Sequence, residues 1–129
     1  MAELNKKYLP VFKSIPEVKL AYFFGSRATG DDGPASDYDF AVYLDEHDAK
    51  KIFDVKCRLL DKLGRLLKTD NLDLVVLDSA EGSELKYEII KNGRLIYEQE
   101  PYRVLIEPRI LNEYFDYKIM MSKYNLTKA

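Results

Sequence analysis

Asp37-Tyr38-Asp39 opens an apolar run that continues to Leu44. In a strand, residues two apart project from the same face, so the two carboxylates stand side by side. Neighbouring carboxylates repel, and each is harder to ionise unless a cation lies between them. Mg²⁺ meets that need: it takes oxygen ligands in octahedral geometry and commonly uses one or two carboxylates plus phosphate oxygens. The plain alternative is a pair of solvated acids at a loop end. Asp73 shifts the balance, because it is the charged residue within the apolar run Leu72–Leu77. That run is expected in the middle of a sheet, where a charge calls for a partner. Asp70 and Asp78, at the margins of the run, are the competing acids. A third carboxylate beside Asp37 and Asp39 would complete a two-ion site of the kind that stabilises the attacking and leaving oxygens of a phosphoryl displacement.

A second feature precedes the first. The apolar and aromatic run Val18–Phe24 stops abruptly at Gly25-Ser26-Arg27. Glycine there takes backbone angles closed to other residues and lets a ligand approach the main chain. A short helix beginning at Ser26 would add free N–H groups suited to phosphate, with the serine hydroxyl as a further donor. An ordinary turn with a capping serine is the competing reading.

The elements that must position these groups follow from periodicity. Residues 3–14 read as a first helix, with Leu4, Tyr8 and Phe12 in one row. Strands are expected at Val18–Phe24, Asp37–Leu44, Leu72–Leu77 and Arg94–Tyr97, the first three forming the centre of the sheet. Between them, residues 46–68 carry a helical stripe of Ile52, Phe53, Leu59, Leu60, Leu63, Leu66 and Leu67, with Asp45 as N-cap. Ser83–Lys91 reads as a helix closed by Asn92-Gly93, and residues 102–125 as a last one. Its broad apolar face runs over Leu111, Tyr114, Phe115 and Tyr117 to Met121. Pro108 must lie in its first turn or kink it. Strands alternating with helices imply an α/β or α+β fold, a small mixed sheet covered by helices and closed by a C-terminal helix.

Composition bounds the function. At 129 residues the chain has the length of one domain, spanning 1–129, with 47% hydrophobic and 33% charged residues. Its 20 basic and 22 acidic residues give a net charge of −2, which argues against holding long nucleic acid by bulk electrostatics. One cysteine, Cys57, rules out an internal disulfide and a cysteine-rich zinc site, and a reducing cytoplasm is the expected compartment. No apolar run approaches the roughly 20 residues of a membrane span. His47, the sole histidine, lies in the acidic stretch Asp45-Glu46-His47-Asp48 and reads as a surface residue. Ten tyrosines against no tryptophan, several near the C-terminus, suit core packing or a partner surface.

Gly25-Ser26, ten intervening residues and then Asp37-Tyr38-Asp39 resembles the signature of the polymerase-β-like nucleotidyltransferase superfamily. Four fixed positions at this spacing arise by chance on the order of once in several hundred chains of this length. Asp73 matches that superfamily's third acid, and the order of elements agrees over residues 18–97. Within the superfamily the chain is similar to minimal nucleotidyltransferases of the MntA antitoxin type. The stretches Gly25-Ser26-Arg27-Ala28, Tyr87–Tyr97 and Leu111–Lys118 carry that similarity.

The resemblance implies a nucleotidyltransferase fold and roles residue by residue. Gly25 and Ser26 would hold the β- and γ-phosphates of ATP, and Arg27 would neutralise phosphate charge or serve in a structural ion pair. Asp37 and Asp39 would bind two Mg²⁺ ions. Asp73 would bind the catalytic ion and help deprotonate the acceptor hydroxyl. It further implies transfer of AMP to a tyrosine of a cognate HEPN-type toxin, a ribonuclease, in a hetero-oligomeric complex. The alternatives are an antitoxin that masks its toxin by binding alone and a transferase acting on a small-molecule hydroxyl.

Overall fold

The computed structural model describes residues 2–25, 37–77 and 82–124, with side chains from residue 6 onward in the first stretch. Strand β1 (Val18–Phe24) alternates between two buried faces: Ala21 and Phe23 point one way, Leu20 and Tyr22 the other. Strand β2 (Tyr38–Leu44) does the same, with Phe40, Val42 and Leu44 against Ala41 and Tyr43. Both are therefore strands covered on two sides, which is why their sequences read as near-continuous apolar runs.

Among the described residues the sheet has four strands in the order β3-β2-β1-β4, with β3 at Leu72–Val76 and β4 at Arg94–Glu98. β1 pairs antiparallel with β2 and β4, while β2 and β3 run parallel. A parallel pair needs a crossover, and helix α2 (Ala49–Leu67) supplies it. Helix α1 (Ala2–Lys13) and α2 cover the first face, burying Tyr8, Phe12, Val55, Leu59 and Leu63 against Phe23, Phe40 and Leu74. Helices α3 (Ser83–Asn92) and α4 (Tyr102–Lys123) cover the second, through Ile89, Ile106 and Ile110. The Tyr22 hydroxyl ties α4 to the sheet by donating to Glu107 Oε2 at 2.6 Å. Burial, and then that carboxylate partner, push the Tyr22 phenol well above the ordinary tyrosine range.

Several expectations need correction. The strand that carries Asp73 is not central. Among the described residues β3 stands at the sheet's edge, because β1 instead takes β2 and β4 as its neighbours. The N-cap of α2 is Asp48, whose Oδ2 accepts the Lys51 N–H at 3.0 Å, and not Asp45. Glu46 first folds the chain into a turn by accepting the N–H groups of His47 and Asp48 at 3.1 Å each. That delays the helix, and Asp45 accepts the Tyr102 hydroxyl at 2.9 Å instead. Phe53 lies outside the buried stripe at 68% exposure, and Val55 takes the core position with Leu59 and Leu63, in steps of four residues.

Helix α4 differs most. Pro108 is its seventh residue rather than a first-turn one, and the helix continues through it beside the exposed Val104 and Leu105. The apolar residues after Ile110 do not reach the sheet: Phe115, Ile119 and Met120 are exposed. This part of α4 leans on α3 instead, through the stacked rings of Tyr87 and Tyr114, 3.9 Å between centroids, and the Lys86–Glu113 ion pair at 3.1 Å. His47 is exposed as expected, and Cys57 is also exposed. No helix among the described residues is long and apolar enough to cross a membrane.

The burial pattern of α2 yields a test. Leu59→Ala should cost about 2–5 kcal/mol, whereas Phe53→Ala should stay within about 0.5 kcal/mol of the parent. Urea denaturation midpoints at unchanged slope measure both.

Candidate active site

Register places the acids. In the antiparallel pair Phe24 of β1 lies opposite Asp39 of β2, and in the parallel pair Asp39 lies opposite Asp73 of β3. Residues opposite each other share a face. Phe24, Asp39 and Asp73 thus form one row across three strands, on the face that α3 and α4 cover farther along. Asp37 precedes β2 by one residue, two before Asp39. Strand spacing of about 4.8 Å sets the scale of the row. Asp73 and Asp37 are exposed and Asp39 is half-buried.

The electrostatics follow. The Asp39 carboxyl is held above the usual carboxylate range, first by burial, then by repulsion from Asp73, then by repulsion from Asp37. Asp39 thus lies near enough to both neighbours to feel their charge. Among the described residues, however, no three acidic, histidine or cysteine side chains lie close enough together to hold an ion unaided.

Gly25 closes the other side. It has φ +83°, in the left-handed region, and a Cβ built there would run into the Asp39 carboxylate, with Asp39 Cγ at 3.0 Å. Only glycine lets the turn out of β1 pass this close to the acid. The glycine expected to serve phosphate thus lies directly against the Asp39 carboxylate. Ser26 and Arg27, and the helix expected to begin at Ser26, lie outside the described residues, as does Asp78. Asp70 is an exposed residue just before β3 and stands outside the row that joins Asp39 to Asp73.

The reason Asp73 stands out is not the one its sequence suggests. It is not a charge buried in a central strand but an exposed acid at an edge, and what singles it out is register with Asp39. A cleft of about 220 Å³ beside Gly25, lined by Phe24, Leu85, Glu88 and Asn92, was not anticipated from the sequence. Its one legible signal is the spacing of Leu85, Glu88 and Asn92 at i, i+3 and i+7, which sets them on one face of α3.

The contact between Gly25 and Asp39 is testable by a double-mutant cycle. Gly25→Ala should destabilise the fold by at least about 1–2 kcal/mol, since it meets both left-handed strain and the carboxylate. In an Asp39→Ala background the same change should cost markedly less, leaving the strain alone. Additive effects in chemical denaturation would show that the two residues do not touch.

Comparison with known proteins gives the family. The family described as "Polymerase beta, Nucleotidyltransferase" matches residues 6–102. The protein adenylyltransferase MntA of Aphanizomenon flos-aquae (strain 2012/KM1/D3) is 30% identical over 105 residues, 77% of this chain and 69% of that protein. Two solved structures share the fold. One is a toxin–antitoxin with AMP-PNP, with TM-score 0.75 and 24% identity over 93% of this chain and 94% of that one. The other is a tri-AMPylated Shewanella oneidensis HEPN toxin in complex with MNT antitoxin, with TM-score 0.69 and 24% identity over 96% and 95%. The chain belongs to the polymerase-β nucleotidyltransferase family and, within it, groups with the MntA proteins.

Proposed function

We propose that this protein is an antitoxin that transfers AMP from ATP to a tyrosine hydroxyl of a cognate HEPN-type toxin. The observation that carries the reading is the row Asp39–Asp73 with Gly25 pressed against its end. Register sets Asp39 opposite Asp73, and a Cβ at Gly25 would meet the Asp39 carboxylate, which supports this reading. The activity in the name of the MntA relative, and the AMPylated HEPN toxin found with an antitoxin of this fold, supply the acceptor class.

In this reading Asp37, Asp39 and Asp73 hold Mg²⁺, two ions in the full site, and Gly25 with Ser26 receives the β- and γ-phosphates. Arg27 offsets phosphate charge. Bound Mg²⁺ supplies the positive charge that stabilises the attacking and leaving oxygens. The acceptor oxygen attacks the α-phosphorus in line, the bond to the β-phosphate oxygen breaks, and pyrophosphate departs. Asp73, exposed where Asp39 is half-buried, takes the phenolic proton on a carboxylate oxygen. The main chain at Gly25 keeps the tail in line for displacement, so much of the rate comes from positioning and charge stabilisation. In this reading the protein works where ATP and its toxin meet, the cytoplasm.

The test mixes the protein with labelled ATP, Mg²⁺ and the HEPN-type toxin encoded beside it. Label should appear on the toxin and its ribonuclease activity should fall. Chelation by EDTA, or Asp39→Asn, should lower transfer by at least about 100-fold. Neutralisation that survives in the Asp37→Asn/Asp39→Asn double variant without any label would instead establish masking by binding alone.

A further inference from the structure

Helix α4 is apolar on two opposite sides. Its inner side seats Ile106 and Ile110 in the core and, farther along, meets α3 through the Tyr87–Tyr114 stack and the Lys86–Glu113 pair. The outer side carries Val104, Leu105, Phe115 and Ile119, each more than half exposed, with Pro108 and Asn112 exposed between them. Leu105, Pro108, Asn112, Phe115 and Ile119 follow in steps of three, four, three and four residues, the spacing of a helix-pairing seam. A helix with one apolar side is complete once that side is buried, whereas one apolar on both sides fits between two surfaces. Among the described residues the fold supplies only the inner surface.

The charges beside the seam describe the other surface. Arg109 and Asp116 lie seven residues apart, and Glu107 and Lys118 eleven. Both separations are close to whole numbers of turns, so each pair shares one flank of the helix. Each pair also straddles Asn112 almost evenly, at three and four residues and at five and six, while Leu105 and Ile119 stand seven residues to either side. An antiparallel two-fold with its axis at Asn112 brings like flanks of two such helices together. Arg109 of each copy then stands level with Asp116 of the other to within one residue, as do Glu107 with Lys118 and Leu105 with Ile119. The stripe is complementary to its own reverse, which is what a contact between identical surfaces requires. Asn112 meets its own copy on the axis, where a single polar seam residue fixes register.

We propose that the outer stripe of α4 pairs with the same stripe of a second copy of this chain, antiparallel about Asn112. The inference stands apart from the nucleotidyl-transfer reading. Burial of Val104, Leu105, Phe115 and Ile119 supplies the affinity, while exposed ion pairs add little strength and act mainly on register. Glu107 is already bound to Tyr22 and Arg103, so Arg109 and Asp116 form the pair to test.

Sedimentation equilibrium of the full chain alone, over a concentration series, should show reversible passage from the mass of one chain to that of two. Ile119→Glu should raise the dissociation constant of the dimer by at least about 30-fold, the scale of a lost interface anchor. Arg109→Glu or Asp116→Arg alone should raise it by about 5-fold or more, since the two-fold repeats each new repulsion. Both changes in one chain should restore the parent's value, because each reversed charge again meets its opposite. All three residues are exposed, so the variants should keep the parent's circular dichroism. The proposal is overturned if the chain keeps the mass of one copy at every concentration. Dimerisation of Ile119→Glu at the parent's strength, or a double reversal that fails to restore pairing, overturns it equally. A monomeric parent whose binding to the toxin encoded beside it is lost in Ile119→Glu would assign the stripe to the toxin instead. Failure of the nucleotidyl-transfer reading looks different, since it is read from label on the toxin and not from the mass of the protein alone.

Discussion

Repulsion among three carboxylates is the constraint around which this end of the molecule is organised. Asp39 is half-buried, faces Asp73 across a parallel strand pair and follows Asp37 by two residues. Each neighbour makes its charged form harder to sustain. A fold gains nothing for its own stability from such a cluster, and the proposed Mg²⁺ and phosphate oxygens would relieve it. Gly25 belongs to the same constraint. Its missing side chain is the space into which Asp39 fits, and its backbone conformation carries the chain away from β1 at that point.

The rest of the fold serves this placement. The β2–α2–β3 crossover sets the register that pairs Asp39 with Asp73, and the two rows of α2 and α1 side chains hold the far face of the sheet. On the near face α3 and α4 stand over β1 and β2 through Ile89, Ile106 and Ile110, with Tyr22 bonded to Glu107. They leave the acidic ends of the strands uncovered at Asp37 and Asp73. Burial and exposure thus alternate along the same strands: apolar where helices pack, acidic at their exposed starts.

Much of this was legible in the sequence, for physical reasons. Strands covered on both faces read as apolar runs, so β1, β2 and β3 were found nearly to the residue, although β2 begins at Tyr38 and leaves Asp37 just outside it. What the sequence could not give was strand order. Nothing local distinguishes an edge from a central strand when both are apolar, so Asp73 drew notice for the wrong reason. Its significance lies in a long-range register that no window of sequence contains. The same holds for α4, whose apolar residues look like a core face but meet α3 or solvent, because the sheet offers packing surface only as far as Ile110. Capping failed locally at Asp45 since three acids compete within four residues, and the Glu46 turn decides among them.

The central claim is that one divalent ion site joins the β1 turn, the start of β2 and the start of β3. Paramagnetic Mn²⁺ titrated into the ¹⁵N-labelled protein with a non-hydrolysable ATP analogue tests it most directly. The account predicts that the amide signals of Gly25, Asp39 and Asp73 broaden together at the lowest Mn²⁺ levels, and that Asp39→Asn removes the effect from all three. Broadening that reaches Asp39 without Asp73, or that gathers at other acids while these signals stay sharp, would contradict it.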